Sequence, residues 1–427
     1  MTCDADEYNN PYKININLVD DKDGKRKRFF EKGLGALLDD NYFLLLYVPE
    51  NGGRMQVVRP ASDLFHRKRI IKKINEVKRI PSFYYALSHL WGLRKDNRYL
   101  WNEIGEHVDD EQGQPVKPVS MRPEKRDALL ALLKDHPDSY WWIDVLCART
   151  DTPLDIMGDI YACCLECIAM IDCEPTLISK IHTMSDAVDE AEKLWRESGE
   201  GFLTTQQLHG TKSSQLMELV YTFLQSEWWQ RVWTWQEMAL PMGDVRFMAE
   251  TDTCLPQTNT ITLNELLGFR SVLPISETLR PDIVRENHGL WTPFEFHRRL
   301  SAIYFARESK SHRIKARNAR LHSIMMSLMY SNRRCYDPCD YVYGVLGAMQ
   351  IKIPRMDDPD EVWRHFLSEL DALSPLDLSP WIDHADEIDL REVENIGEVY
   401  KKLSDIYLED GIAGILPSSF NKLDPLQ

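Results

Sequence analysis

Glu227-Trp228-Trp229-Gln230-Arg231-Val232-Trp233-Thr234-Trp235-Gln236-Glu237, followed by Met238-Ala239-Leu240-Pro241, is the stretch on which the reading of this chain turns. Four tryptophans fall within eight residues, and the helix they predict must stop before Pro241. Trp229, Trp233 and Glu237 are spaced i, i+4, i+8, which stacks them along one face of such a helix. A carboxylate that closes an aromatic stripe is unusual, because burying it without a partner is costly. Such a group is expected to titrate high and to sit beside flat surfaces suited to a planar ligand. The plainer alternative is a core helix whose indoles fill space while Glu237 reaches solvent at its end.

Upstream of that stretch, from residue 81, strands and helices alternate. Tyr84-Tyr85-Ala86-Leu87-Ser88 predicts a buried strand leading into His89-Leu90-Trp91-Gly92. Pro123-Glu124-Lys125 opens a helix with Leu129, Leu130, Leu132 and Leu133 on its apolar side. Trp141-Trp142-Ile143-Asp144-Val145-Leu146-Cys147 predicts a second apolar strand with one acid inside it. A helix over 155–164 and a strand at Cys167-Ile168-Ala169-Met170-Ile171-Asp172 follow, and Val245 to Ala249 adds another strand. Strands apolar on both faces and separated by helices predict an α/β domain with a parallel sheet flanked by helices. Ligands of such sheets bind at the carboxyl ends of the strands. That places Ser88, Trp91, Gly92, Asp144 and the Trp-rich helix as candidates to converge there.

The flanks read differently. Residues 1–80 look like an N-terminal extension, with a buried strand at Tyr42 to Val48, a basic run at Lys25-Arg26-Lys27-Arg28, and basic residues mixed with helically spaced Ile70, Ile71, Ile74 and Val77 over 64–80. A basic amphipathic helix suits an anionic membrane or an acidic partner, or is simply the solvated face of an ordinary helix. Residues 174–212 are polar and read as an insertion in a domain spanning 81–255. Residues 256–427 read as a mainly helical C-terminal part, including an apolar stripe at Val362, Trp363, Phe366 and Leu370 and a solvated acidic helical face over 383–410. Composition fits a soluble protein with no apolar run long enough to span a bilayer, 43% hydrophobic and 28% charged. The acidic start at Met1 to Tyr8 resembles neither a secretory signal nor a transit peptide. A net charge of -16 argues against nucleic acid as a partner. Nine scattered cysteines predict reduced thiols in the cytoplasm or nucleus.

Metal and phosphate chemistry finds little support. Cys163, Cys164, Cys167 and Cys173, like Cys335 and Cys339, lack the paired spacing that zinc requires, and buried thiols are the better reading. Cys147 with His89 as nucleophile and base is a weak pairing in a chain with nine cysteines and 12 histidines. Neither GxxxxGK[ST] nor GxGxxG occurs.

Three blocks together resemble the fungal heterokaryon-incompatibility (HET) domain. Tyr85-Ala86-Leu87-Ser88-His89-Leu90-Trp91-Gly92 is similar to its first block, where Tyr or Phe is usual at the place of His89. Trp142-Ile143-Asp144-Val145-Leu146-Cys147, with Met157, Ile160-Tyr161 and Ala162, is similar to the second, and Trp228 through Glu237 to the third. Arg334 through Gly347 resembles a segment that often follows the domain. After Cys147 the chain departs from the family's Cys-Ile-Asn-Gln continuation, reading Ala148-Arg149-Thr150 with a shorter link to Met157. The resemblance implies a TIR/flavodoxin-like α/β fold, fungal non-self recognition and innate-immune-like regulated cell death in the cytoplasm. It implies partners as well, through self-association and a protein trigger. In TIR enzymes a Trp-to-Glu block with the spacing of Trp233 to Glu237 cleaves NAD at its nicotinamide bond. By that likeness Glu237 is expected to be catalytic, with Ser88, Trp91, Gly92, Asp144 and Trp233 binding NAD as substrate and no metal or resident cofactor. The alternative is an inactive interaction module that signals by assembly.

Overall fold

The computed structural model describes residues 12–94, 97–197, 202–253, 258–271, 293–309, 317–373 and 388–409. The acidic start at Met1 to Tyr8 lies outside them. The chain forms two compact units, Met1–Gln230 with Thr234–Leu300, and Arg231–Trp233 with Ser301–Gln427.

The first unit is built on one sheet of eight strands: β1 (Leu45–Val48), β2 (Met55–Val58), β3 (Tyr84–His89), β4 (Val108–Asp109), β5 (Ser139–Ile143), β6 (Glu166–Ile171), β7 (Asp244–Ala249) and β8 (Thr260–Thr262). Their order is β8-β7-β6-β3-β5-β1-β2-β4. The four central strands β5, β3, β6 and β7 are mutually parallel, as the sequence predicts. The sheet as a whole is mixed, because β1 runs antiparallel to β5 and β2, and β8 antiparallel to β7. β1 and β2 come from the first eighty residues, so part of that stretch belongs to the same sheet. The strand expected to run from Trp141 to Cys147 stops at Ile143, and Asp144 begins a short helix. Its carboxylate accepts from the Val145 amide at 2.6 Å, a local bond that competes with extended pairing.

The helices of this unit include α1 (Lys25–Asp39), α2 (Leu64–Glu76), α3 (Arg126–Lys134), α4 (Asp144–Cys147), α5 (Ile156–Cys163), α6 (Pro175–Glu197), α7 (Phe202–Phe223) and α8 (Trp233–Ala239), the last continuing from the second unit's Trp233. Pairing register sets the two faces of the sheet. Tyr84 lies beside Tyr140, Ala86 beside Trp142, and Ser88 beside Ala169, so these side chains share one face. α2 and α5 cover it: His66 bonds the Tyr140 hydroxyl at 2.8 Å, Tyr84 donates to the Ile160 carbonyl, and Tyr161 meets Trp142 edge-on. α1 packs closely enough on α5 that a side chain at Gly33 would strike the Cys163 sulfur. On the opposite face Tyr85 stacks on Trp141 at 4.8 Å, with His136 against both. Burial on both faces is why the central strands are apolar throughout rather than alternating.

The expected single helix from Trp228 to Ala239 is broken. Glu227–Gln230 is a 3-10 turn, and α8 starts afresh at Trp233. Trp229, Trp233 and Glu237 therefore do not share one helical stripe. The interruption has a visible cause in the second unit, where the Val232 amide donates to the Arg334 carbonyl at 3.0 Å, drawing Arg231 and Val232 out of helical pairing. α8 ends at Ala239, just before Pro241.

In the second unit Val362, Trp363, Phe366 and Leu370 are buried along Pro359–Leu373 as the stripe predicts. Of the acidic stretch 383–410, residues 388–409 are described. Rather than a purely solvated face, the helix Ile396–Glu409 buries Ile396, Val399, Tyr400 and Leu403. The stripe follows the helical spacing of three and four, and the exposed residues described on this helix are Lys401 and Lys402. The described cysteines are all free thiols.

Close backbone approach makes Gly243 a test of the parallel core. A Cβ there would lie 1.9 Å from the Leu165 carbonyl oxygen, a backbone atom that cannot swing aside. Gly243→Ala should cost about 1–3 kcal/mol, read as a lower urea midpoint, as overpacking does generally. Gly210→Ala, with nothing within 4 Å of its Cβ, should hold or raise that midpoint.

Candidate functional site at the carboxyl end of the central strand

β3 ends in Ser88 and His89, and strand alternation sends these neighbours to opposite faces of the sheet. Each binds a carboxylate. Ser88 donates its hydroxyl to Glu237 Oε2 and accepts the Trp228 indole N–H at 2.7 Å, so its one proton and one lone pair are both used. His89 Nε2 lies 2.9 Å from Asp144 Oδ1, and its Nδ1 lies 2.9 Å from Lys125 Nζ. Lys125 also donates to the Leu90 carbonyl. Ser88, His89, Lys125 and Glu237 are all buried, Glu237 being 8% exposed.

The Glu237 side is assembled through β6. Asp172, just past that strand, accepts from the Glu227 and Trp228 amides at 2.9 and 3.1 Å and so fixes the start of the 3-10 turn. The turn seats Trp228 against Phe247 of β7 and aims its indole N–H at Ser88. Thr234 then donates to the Trp228 carbonyl at 2.7 Å, tying the first turn of α8 to the 3-10 turn. One turn later in α8, Glu237 reaches Ser88. Trp229, edge-on to Trp228 and packed on Phe247, is core.

On the other face Asp144 gathers His89, the Trp91 indole N–H and the Val145 amide. Burial pushes the Asp144 carboxyl up, but His89 and the N–H donors more than offset it and hold it below the usual range. Burial, and after it the positive charge of Lys125, depresses His89 despite the pull of Asp144. A neutral ring bearing its proton on Nε2 satisfies both neighbours, donating to Asp144 and accepting from Lys125. Tyr161 is driven well above its ordinary value, first by burial and then by the negative charges of Glu237 and Asp144. Its phenol therefore remains protonated near both acids.

Among the expected site residues, Ser88 and Glu237 are brought into direct contact, and Asp144 holds Trp91 beside the next residue of the strand. Gly92 plays a packing part: a Cβ there would lie 2.4 Å from the Tyr99 carbonyl oxygen and 2.7 Å from the Met121 amide nitrogen. Trp233 belongs to the second unit, where its side chain hydrogen-bonds Asp340, whose carboxyl burial raises to about 6. Cys147 and His89 form no nucleophile–base pair. The Cys147 thiol faces the Trp141 carbonyl and is pushed by burial to about 12. Sequence reasoning gave no site role to Lys125, Tyr161 or Asp172, and took Trp228 only as part of the Trp-rich stretch. A lysine three residues past Met121-Arg122 carries no local sign of burial; only the fold surrounds it. Among the described residues, no group of three or more His, Cys, Asp or Glu is placed to hold a metal ion.

The His89 pair predicts acid sensitivity. A histidine depressed in the folded state stabilises the fold above its unfolded value of 6.5 and loses that contribution as pH falls through and below it. The depressed Asp144 adds a further loss below its own ordinary value of 3.8. The melting temperature should therefore fall from neutral to acid pH, beginning near 6.5. His89→Phe should be less stable by roughly 3–5 kcal/mol at neutral pH, since it leaves Asp144 and Lys125 without their bridge. Its melting temperature should also vary less between neutral pH and the ordinary Asp range, measured by thermal unfolding across pH.

No curated protein and no solved structure matches the chain. Residues 84–237, which run from the first residue of β3 to the carboxylate that binds its end, match the family model described as Heterokaryon incompatibility protein (HET), and over that stretch the chain is supported as a HET-domain protein.

Proposed function

We propose that this chain is an effector of heterokaryon incompatibility, a cytoplasmic trigger of regulated cell death, and that its HET domain cleaves NAD through Glu237. The observation that carries this reading is the placement of the Glu237 carboxylate at the carboxyl end of β3, in contact with Ser88, within the matched stretch. Parallel sheets bind ligands at that edge. The spacing from Trp233 to Glu237 is that of the catalytic block of TIR enzymes, and this likeness supplies the substrate.

In the proposed reaction the bond between the ribose C1′ and the nicotinamide nitrogen breaks, nicotinamide leaves with the bonding pair, and C1′ gains oxocarbenium character. Water then adds to C1′ and releases a proton, giving ADP-ribose. A ribose hydroxyl would take the place of the Ser88 hydroxyl as donor to Glu237 Oε2. The carboxylate's charge would then stabilise the developing cation without a metal. Before substrate binds, Ser88, itself held by the Trp228 indole N–H, keeps the carboxylate in position, and the exposed indole of Trp91, anchored by Asp144, offers a flat surface for a base. Self-association of the domain would bring active copies together.

A second reading is favoured by one observation: Glu237 is 8% exposed and already hydrogen-bonded, as a structural carboxylate would be. On that reading the domain signals by assembly alone.

The purified chain, concentrated and incubated with NAD, should release nicotinamide. Glu237→Gln keeps the shape and an oxygen that can accept from Ser88, so it should fold and yet lose on the order of 100-fold or more in rate. Equal release by a folded Gln variant, or none from the wild type at any protein concentration, leaves the assembly reading standing. In a fungal host, wild type should be toxic at high dose and the Gln variant tolerated.

A further inference from the structure

We infer that the face formed by α1 and α2 is a docking surface for anionic lipid membranes. The charge of the chain is unevenly distributed. Residues 12–80 hold sixteen Lys and Arg against nine Asp and Glu, a surplus of seven cations in a chain whose net charge is -16. The two helices run antiparallel to one another. The Arg26 guanidinium near the start of α1 donates to the Arg79 carbonyl beyond the end of α2, and Arg67 near the start of α2 donates to the Leu38 carbonyl and the Asp39 carboxylate at the end of α1.

Each helix buries one stripe and exposes the other. α1 buries Phe30, Leu34, Leu37 and Leu38, and α2 buries Ile70, Ile71 and Ile74. Opposite them lie Lys25, Arg28 and Lys32 on α1 and Lys68 and Lys72 on α2, spaced by three and four residues and exposed. Lys78 and Arg79 extend the exposed basic residues past α2. Several cations of this region are already neutralised: Arg67 by Asp39, Arg69 and Lys73 by Asp138, and Lys72 by Glu76. Among the described residues Lys32, Lys68 and Lys78 have no carboxylate within ion-pair distance, so their charge is available to a partner.

Exposed apolar side chains on the helix that carries Lys68 and Lys72 decide the kind of partner. Leu64 and Phe65, consecutive at the start of α2, are 62% and 69% exposed. Phe65, Lys68 and Lys72 follow one another on a single helical face. Val19, upstream of α1, is 77% exposed. A row of cations beside protruding aliphatic and aromatic residues matches an interface of phosphate headgroups over acyl chains. Nucleic acid or an acidic protein surface would reward the lysines but leave Leu64 and Phe65 idle. No described helix is long and apolar enough to cross a membrane, so the contact would be peripheral.

The test is co-sedimentation of the full chain with phosphatidylcholine vesicles, with and without phosphatidylserine, at low and high salt. Binding is expected only where phosphatidylserine is present, and should weaken with salt. Lys68→Glu with Lys32→Glu should reduce partitioning by about fivefold or more per charge altered. Leu64→Ser with Phe65→Ser should reduce it at both salt concentrations. These positions are exposed, so the thermal unfolding of each variant should match the wild type. Failure of the wild type to bind phosphatidylserine vesicles overturns the inference, as does binding by the charge variant equal to wild type. Concentration-dependent association in lipid-free gel filtration that Lys68→Glu abolishes would also overturn it, in favour of a second copy of the chain as the occupant. None of these outcomes depends on NAD cleavage, so this inference and the proposed function can fail separately.

Discussion

Two adjacent residues at the end of β3 hold the first unit's polar interior together. Because a strand alternates its side chains, Ser88 and His89 point to opposite faces and each meets a carboxylate from a distant part of the chain. Ser88 joins α8 and the 3-10 turn to the sheet; His89 joins α4 and Lys125 to the same strand. The two acids are separated by 93 residues in sequence, at positions 144 and 237. The structure brings them to neighbouring residues because parallel strands share a carboxyl edge.

These networks impose an all-or-nothing condition. Lys125 is fully buried, and a buried ammonium is tolerated only with partners that meet its protons. The Leu90 carbonyl and His89 Nδ1 meet two of its three protons, and Asp144 balances the charge through the imidazole. On the opposite face the Trp228 N–H polarises the Ser88 hydroxyl toward Glu237, and hydrogen bonds in such a chain strengthen one another in a low dielectric. The Arg122–Glu250 ion pair lies near Lys125, whose charge lowers the Glu250 carboxyl while burial raises it, with a net rise. The carboxyl edge of the sheet is thus crowded with charges that specify the ends of β3, β6 and β7 as much as they stabilise them. That crowding is what a reactive carboxylate would exploit and also what a structural one would need.

The sequence by itself determined the α/β class, the parallel centre of the sheet and the stop of α8 before Pro241. Continuous apolar runs such as Tyr140 to Ile143 and Cys167 to Ile171 reflect local burial on both faces, and proline acts on its own backbone. It also marked Asp144 and Glu237 as acids out of place among apolar residues; in the structure Asp144 is hydrogen-bonded to His89 and Glu237 to Ser88.

Only the tertiary structure decided the rest. The Trp-rich stretch has helical spacing throughout, yet it breaks at Arg231 and Val232 because the Arg334 carbonyl, a hundred residues away, takes the Val232 amide. That break sends Trp233 to Asp340 and leaves Trp228, rather than Trp233, beside Ser88. The antiparallel edge strands depend on pairing partners that a local pattern does not name. Lys125 reads as a surface lysine until His89 and the Leu90 carbonyl at the end of β3 take up its ammonium. Periodicity and turn chemistry are local and legible; the partner of a buried polar group is set by chain segments far apart in sequence, and it exists only once the chain has folded.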